Sequence, residues 1–118
     1  MRTSLAAALV FACTGAAAQQ WASELKGSPA EVFNEEDTRL FFDTVRLALD
    51  RPDDQLLSWE NPKTGHRGEA RASKSFESRG RACKVIEFHT EAQGRKGQGR
   101  FNYCHIEGEW KLLGDSQL

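Results

Sequence analysis

Residues 82–106 read ACKVIEFHTEAQGRKGQGRFNYCHI, and this stretch decides the fold because it holds two strand patterns on either side of one turn. Branched and aromatic side chains recur in residues 82–90 and 99–106, and such segments are typical of strands. Between them, Gln93-Gly94 has the residue types that favour a tight turn joining two antiparallel strands. The stretch therefore predicts a β-hairpin.

The hairpin has a predictable register, because a turn on Gln93-Gly94 fixes which residues lie opposite each other. It gives these pairs across the two strands: Cys83–Cys104, Ile86–Phe101, Glu87–Arg100, Phe88–Gly99 and His89–Gln98. Since side chains alternate between the faces of a sheet, Ile86, Phe88, Phe101 and Tyr103 share one face and the two cysteines share the other. Three glycines lie close together here, so a longer loop or a bulge would shift the register by one residue.

Two of the three cysteines in the chain lie in this hairpin and are candidates for a disulfide bond. Opposed positions on neighbouring strands would hold the Sγ atoms of Cys83 and Cys104 near bonding distance. Closing the loop between them stabilises a small domain by roughly 3 kcal/mol on the chain-entropy model. Disulfides persist in oxidising compartments, so the pair predicts that the protein is exported.

A helix is predicted before the hairpin. Asn34 has the side chain of an N-cap and is followed by three acidic residues, which suit the positive end of a helix dipole better than they suggest a metal site. Pro52 disfavours helical geometry at Arg51, so we predict a helix over residues 35–50. Its apolar residues recur at three- and four-residue spacing and form one stripe: Leu40, Phe41, Val45, Ala48 and Leu49.

The remaining segments alternate between strand patterns and turn residues. Besides the hairpin, we expect strands at 56–60, 67–76 and 109–113, with turns at 61–65, 78–80 and 107–108. The predicted fold class is α+β: one N-terminal helix packed on a small antiparallel β-sheet of about five strands, after a signal peptide. The chain of 118 residues is long enough for one such domain.

The N-terminus has the features of a secretory signal in the expected order. A positive start, Met1-Arg2, is followed by an apolar run over residues 5–12 and by the small residues Ala16-Ala17-Ala18. Cleavage after Ala18 would release a soluble form, whereas the alternative of a lipid on Cys13 would attach the protein to a membrane. The predicted organisation is a signal peptide over 1–18, a flexible tether over 19–33 and a folded domain over 34–115.

Charge is unevenly distributed, although the net charge is only −1. Residues 19–60 carry ten acidic and four basic side chains, whereas residues 63–100 carry ten basic and four acidic ones. One interpretation is a helix and a sheet that attract each other. The alternative is a basic face that binds an anionic envelope polymer, for which the candidate residues are Arg67, Arg71, Lys74 and Arg79.

Several motifs occur in an order that resembles a known family. Residues 59–68 read WENPKTGHRG and fit the pattern W-x-N-P-x-[ST]-G-x-x-G. The fixed positions of this pattern are expected to set a structural turn: Trp59, Asn61, Pro62, Gly65 and Gly68. Later motifs are Gly80-Arg81-Ala82-Cys83-Lys84, Tyr103-Cys104-His105 and Gly108-Glu109-Trp110. Over roughly residues 36–113, this order is similar to the C-terminal domain of the rickettsial 17 kDa surface antigen family, a group of bacterial envelope proteins.

The resemblance implies an envelope-associated, β-rich domain in the periplasm or at the outer membrane, and it implies no catalytic activity. This chain departs from the family in two ways. Many members have a clear lipobox and a glycine-rich apolar segment before the domain, and neither is present here in good form. Where members often have Cys-Arg-Glu-Tyr, this chain has Cys83-Lys84-Val85-Ile86.

Few residues have an arrangement that catalysis requires. Glu87 and His89 lie two apart on one predicted strand and point to one face, where a carboxylate could orient an imidazole. The register instead places Arg100 opposite Glu87 as a surface ion pair, and no nucleophile motif accompanies them. The histidines lie in separate elements without the spacing of a zinc site. We therefore expect no catalytic residue, no metal and no cofactor.

The first function we predict is a non-catalytic bacterial cell-envelope protein, a surface-antigen-like structural module. The alternative is a periplasmic binding or inhibitor module that contacts an anionic envelope polymer or a lytic enzyme. The expected partner is thus an envelope polymer or another envelope protein, and not a nucleic acid. Trp59 and Trp110 are interpreted as core or sheet-face residues. The alternative is an aromatic platform for a glycan, edged by Arg67, Arg71 and Lys74.

Overall fold

The computed structural model describes residues 27–118, in which one α-helix packs against a five-stranded antiparallel sheet. The helix α1 spans Glu35–Leu49. The strands have the same order in the chain and in the sheet: β1 Leu57–Glu60, β2 Arg67–Ser78, β3 Arg81–Ala92, β4 Arg95–Ile106 and β5 Glu109–Leu113. The predicted α+β class is confirmed. The predicted signal peptide, 1–18, and Cys13 lie outside the described residues.

Both ends of α1 are capped by side chains. At the N-terminus, Asn34 Oδ1 accepts from the backbone N–H of Asp37 at 2.8 Å, and the Asp37 carboxylate accepts from the backbone N–H of Asn34 at 2.9 Å. This capping box satisfies two donors that a helix start leaves unpaired. At the other end, Lys84 Nζ donates to the carbonyls of Leu49 and Arg51 at 3.0 and 3.1 Å. A cation there complements the negative end of the helix dipole.

The hairpin of β3 and β4 has the predicted register, and no bulge shifts it. Cys83 lies opposite Cys104. Gln93 and Gly94 form the two-residue turn with φ of 53° and 74°, as a type I′ turn requires. The ring of Phe88 covers Gly99, since a Cβ added at this glycine would lie 2.6 Å from Phe88 Cζ.

Strand β2 is longer than the predicted strand 67–76 and contains a bulge. Its register with β3 shifts between Ala72 and Lys74, which leaves Ser73 without an opposed residue. The Ser73 hydroxyl donates instead to the carbonyl of Val85 at 3.4 Å. After Ser73, the extra residue reverses which side chains of β2 face α1. Lys74 therefore lies opposite Val85, on the face of the sheet away from the helix.

The face of the sheet that packs against α1, which we call the inner face, forms the core. Its buried residues come from the helix and from four strands: Phe41, Val45, Ala48, Leu49, Trp59, Ala70, Ala72, Ile86 and Tyr103. The opposite, outer face carries the charged side chains that alternate with them. Because α1 lies mainly over β1 and β2, the inner face of β4 and β5 is only partly covered.

The last part of the predicted tether, 19–33, is ordered against the sheet. Pro29–Val32 form a short 3₁₀ helix in which Pro29 is buried. Pro29 lies over Gly97, where an added Cβ would approach Pro29 Cδ to 2.7 Å. Phe33 then packs edge-on against Trp59, with ring centroids 5.4 Å apart. Across residues 27–118, no helix has the length and apolarity that crossing a membrane requires.

Candidate functional site

A buried polar cluster centred on Asp37 joins the start of α1 to the turn after β1. The Asp37 carboxylate accepts hydrogen bonds from Asn61 Nδ2 at 2.8 Å and from Thr64 Oγ1 at 2.9 Å. His66 Nδ1 lies 2.8 Å from Asp37 Oδ2 and donates to it, since an ionised carboxylate only accepts. With the Asn34 N–H, each carboxylate oxygen has two donors. We call these five residues the Asp37 cluster.

The hydrogen bonds of this cluster keep Asp37 ionised although it is fully buried. Burial alone would raise the pKa of the Asp37 carboxyl, because a charge is poorly solvated inside a protein. The donors from Asn34, His66, Asn61 and Thr64 together outweigh that effect, and the pKa lies below its ordinary value. The cluster is thus a stable anionic centre that ties a helix to a loop.

The turn that follows β1 aims its side chains at Asp37 through its own backbone bonds. The Gly65 N–H donates to the Asn61 carbonyl at 2.7 Å, and the Lys63 N–H donates to Asn61 Oδ1 at 3.0 Å. Gly65 has a φ of 79°, which glycine adopts without strain. Asn61, Pro62 and Gly65, predicted as turn residues, all lie in this turn.

Trp59 and Gly68, the outer positions of the same motif, lie opposite each other on β1 and β2. Trp59 is 6% exposed. A Cβ added at Gly68 would lie 2.7 Å from Trp59 Nε1 and 2.6 Å from the carbonyl oxygen of His89, so only glycine fits there. Trp59 Nε1–H is buried without an acceptor among the described residues. Arg71 points to the outer face, away from the indole, whereas Arg67 and Trp59 both line one cavity of about 580 Å³.

The predicted disulfide between Cys83 and Cys104 is present, with an S–S distance of 2.07 Å. Both residues are buried, at 1% and 0% exposure. The bond joins the two central long strands on the outer face, 21 residues apart in the chain. It therefore fixes the register of the hairpin covalently.

Two of the four residues predicted to bind an anion are already paired with carboxylates. Arg67 Nη2 lies 2.9 Å from Glu91 Oε1, and Arg71 Nη2 lies 3.0 Å from Glu87 Oε1. The Arg67 guanidinium holds the pKa of the Glu91 carboxyl below its usual range. The other two candidates, Lys74 on β2 and Arg79 in the turn after it, are exposed. The outer face is thus a mosaic of both charges.

Glu87 and His89 share the outer face as predicted, but Glu87 is engaged elsewhere. Its closest partner is Arg71, whose hydrogen bond lowers the pKa of the Glu87 carboxyl. Arg100, the partner expected from the register, is farther away at 4.0 Å. Among the described residues, no hydrogen bond joins Glu87 to His89. The pair therefore lacks the contact by which a carboxylate orients an imidazole.

Two cavities of about 450 Å³ each open beside α1, above the part of the inner face that the helix leaves uncovered. They share Phe42, whose ring stacks on Phe101 at a centroid distance of 6.3 Å. The first, which we call the aromatic groove, is lined by rings and by two glycines: Phe33, Phe41, Phe42, Phe88, Phe101, Gly97 and Gly99. The second lies towards Tyr103, where burial raises the pKa of the phenol and Arg46 partly offsets this.

From the sequence, Asp37 is expected only to be one of three acidic residues at the positive end of the helix dipole, and no role is expected for His66. The capping-box spacing from Asn34 was the available signal for Asp37, but its partners Asn61 and His66 lie 24 and 29 residues away. In residues 27–118 there is no group of three or more side chains that could hold a metal ion. Comparisons with family models, curated proteins and solved structures found no match.

Proposed function

We propose that this chain is an exported, non-catalytic module of the bacterial cell envelope, located in the periplasm or at the outer membrane. The Cys83–Cys104 bond carries the proposal, because disulfides form and persist outside the reducing cytoplasm. The signal features of residues 1–18 favour the same route. Export would end in cleavage after Ala18 or in a lipid on Cys13.

The resemblance to the rickettsial 17 kDa surface antigen family supports an envelope role of a structural kind. The residues that carry the resemblance serve the fold of this chain. Asn61 donates to Asp37, Trp59 is part of the core, and Gly68 leaves room for the indole. The two cysteines close the central hairpin. Such a motif is typical of a structural module, because each position has a packing or bonding task.

The engagement of the acidic groups supports a non-catalytic role. A general base must reach the proton that it removes, directly or through one water. Both oxygens of Asp37 have two donors each, and the side chain is shielded from solvent. Glu87 is held by Arg71 at 3.0 Å.

Cell fractionation of the native host tests the proposal. We expect the protein in the periplasmic or outer-membrane fraction, with Cys83 and Cys104 resistant to alkylation until a reductant is added. A variant lacking residues 2–18 is the matched control and should remain in the cytoplasm with both thiols reactive. Full-length protein in the cytoplasmic fraction, with both thiols reactive, would contradict the proposal.

A binding module is the second candidate, and the aromatic groove beside Phe42 favours it, because exposed apolar concavities are typical of binding sites. A protein partner suits this groove better than an anionic polymer does. Carboxylates already pair with Arg67 and Arg71, so a polymer would have to displace them. Retention on immobilised lipopolysaccharide should be weak and lost with added salt. Retention that survives physiological salt would favour the polymer instead.

A further inference from the structure

The second cavity beside α1, which we call the Tyr103 cavity, lies between the end of the helix and the hairpin of β4 and β5. Its volume of about 450 Å³ lies within the range of small-molecule sites, roughly 300–1,000 Å³. Three aromatic rings form its walls and three exposed charged side chains form its rim: Phe42, Tyr103 and Trp110, and Arg46, Asp50 and Glu109. It is thus a cavity of mixed polarity, unlike the aromatic groove.

Lys84 links the two sides of this cavity. Its Nζ donates to the carbonyls of Leu49 and Arg51 at the end of α1, and it lies 5.9 Å from the centroid of the Trp110 ring. His105 packs edge-on against the same ring, with centroids 5.0 Å apart. Because these contacts hold both walls, the cavity exists without a ligand, and binding would cost little ordering of side chains.

Tyr103 brings a hydroxyl group without a protein partner to the cavity. The phenol can donate one hydrogen bond and accept others. In residues 27–118 no hydrogen bond engages it. Among the same residues, the one buried side-chain polar atom that lacks a partner is Trp59 Nε1, so the Tyr103 hydroxyl is not sealed from solvent. It is therefore accessible to a ligand.

The charged side chains of the rim have distant partners or none. Arg46 Nη2 lies 3.4 Å from Asp43 Oδ1, and its side chain is 68% exposed. Glu109 Oε1 lies 4.0 Å from Lys111 Nζ, and its side chain is 75% exposed. Asp50, one helical turn after Arg46, forms no ion pair in the part of the chain that the structure describes. The rim thus offers donors and acceptors of both signs to one ligand.

This mixture of charges determines which ligand fits. An anion would meet the carboxylates of Asp50 and Glu109, and a cation would meet Arg46 and the ammonium of Lys84. A neutral ring with several hydroxyl groups avoids both costs, because hydroxyls donate to carboxylates and accept from a guanidinium. The C–H groups of such a ring can pack on an aromatic wall. Sugar rings combine these two properties.

We propose that the Tyr103 cavity binds a sugar residue of a neutral glycan, with the C–H face of the sugar against the indole of Trp110. The sugar hydroxyls would bond to Tyr103, Arg46 and Glu109. Of the two tryptophans considered as a glycan platform, this site uses Trp110 and not the buried Trp59. The proposal goes beyond export and does not depend on it.

The test titrates the purified, oxidised protein with two neutral trisaccharides and records NMR spectra of the amide and indole N–H groups. The probes are chitotriose, which is built of N-acetylglucosamine, and maltotriose, which is built of glucose. We expect at least one of them to shift the indole N–H of Trp110 in a saturable way, with a Kd of about 1 mM. The indole N–H of Trp59 is the internal control and should not shift.

Two substitutions separate the contributions of the hydroxyl and the indole. Tyr103→Phe removes one oxygen and should weaken binding about fivefold, which is the effect of one hydrogen bond. Trp110→Leu removes the platform and should weaken binding more than about tenfold. The matched control is Leu112→Ala, on the same strand but outside the cavity lining, and it should bind like the unmodified protein. Thermal unfolding checks that each variant is folded.

Three outcomes would overturn the proposal. One is the absence of a saturable shift with either trisaccharide up to about 20 mM, well above the expected Kd. Another is binding that neither Tyr103→Phe nor Trp110→Leu weakens. The third is tighter binding of choline or of acetate than of both trisaccharides, which would assign the cavity to a charged ligand. Cell fractionation tests export separately, so failure of one proposal leaves the other standing.

Discussion

At the scale of single residues, Asp37 is the side chain on which the junction of α1 and the β1–β2 turn depends. Asp37→Asn should lower the free energy of unfolding by about 3 kcal/mol, because an amide cannot accept four hydrogen bonds and places a donor against His66. Denaturant unfolding measures the change. The control Asp43→Asn, on the exposed side of α1, should cost less than about 1 kcal/mol. Equal losses of stability from the two substitutions would show that the Asp37 cluster stabilises the fold no more than an exposed ion pair does.

Acid should weaken the same junction. The pKa of Asp37 is lower in the folded protein than in the unfolded chain, so its contribution is present above the unfolded value of about 4 and is lost as the pH falls through the folded value. Glu87 and Glu91 shift in the same direction. Stability measured from pH 6 to pH 2 should therefore fall below about pH 4. The loss of stability with falling pH should be smaller in Asp37→Asn. If the stability of both proteins depended on pH in the same way, groups other than Asp37 would be responsible for the loss.

Gly68 is the second residue on which the fold depends, because its lack of a side chain leaves space for the Trp59 indole. Gly68→Ala should destabilise the fold by about 2 kcal/mol, because its Cβ would meet the indole nitrogen and the backbone of β3. Thermal unfolding followed by tryptophan fluorescence measures the effect. The control Gly114→Ala, where the nearest atom would be 3.7 Å away, should change stability by less than about 0.5 kcal/mol. Similar losses at both glycines would argue against the close approach.

At the scale of elements, the hairpin of β3 and β4 is held both by its turn and by its disulfide. Replacing Cys83 and Cys104 together with alanine should lower the free energy of unfolding by about 3 kcal/mol, since the bond closes a loop of 21 residues. The cross-strand pairs should keep the register, so the amide NMR pattern of the hairpin should persist. A reductant should destabilise the unmodified protein and leave the double variant unchanged. No response in the unmodified protein would contradict this role.

The elements that local chemistry specifies were predictable from the sequence. α1 follows from its N-cap at Asn34 and its apolar stripe, and the hairpin follows from Gln93-Gly94. Two features had no local signal. The bulge at Ser73 lies in a polar run without periodicity, and the 3₁₀ helix at Pro29 is ordered by its contact with Gly97. Both are set by tertiary packing.

At the scale of the whole molecule, ion pairs join the acidic first half to the basic second half. Arg95 pairs with Glu31 at 2.8 Å, and Arg71 with Asp54 at 3.3 Å. These contacts favour the interpretation of the uneven charge as attraction within the domain. The Asp37 cluster was not predictable at this scale, because its members come from segments that a sequence pattern does not bring together.

We propose that the chain leaves the cytoplasm and is oxidised outside it, and the intact mass of protein purified from its native cell reports both events. We expect the mass of a chain that begins at Gln19, or at a lipidated Cys13, less two hydrogens for the Cys83–Cys104 bond. A mass that includes residues 1–18 and three free thiols would show that the chain is neither processed nor oxidised.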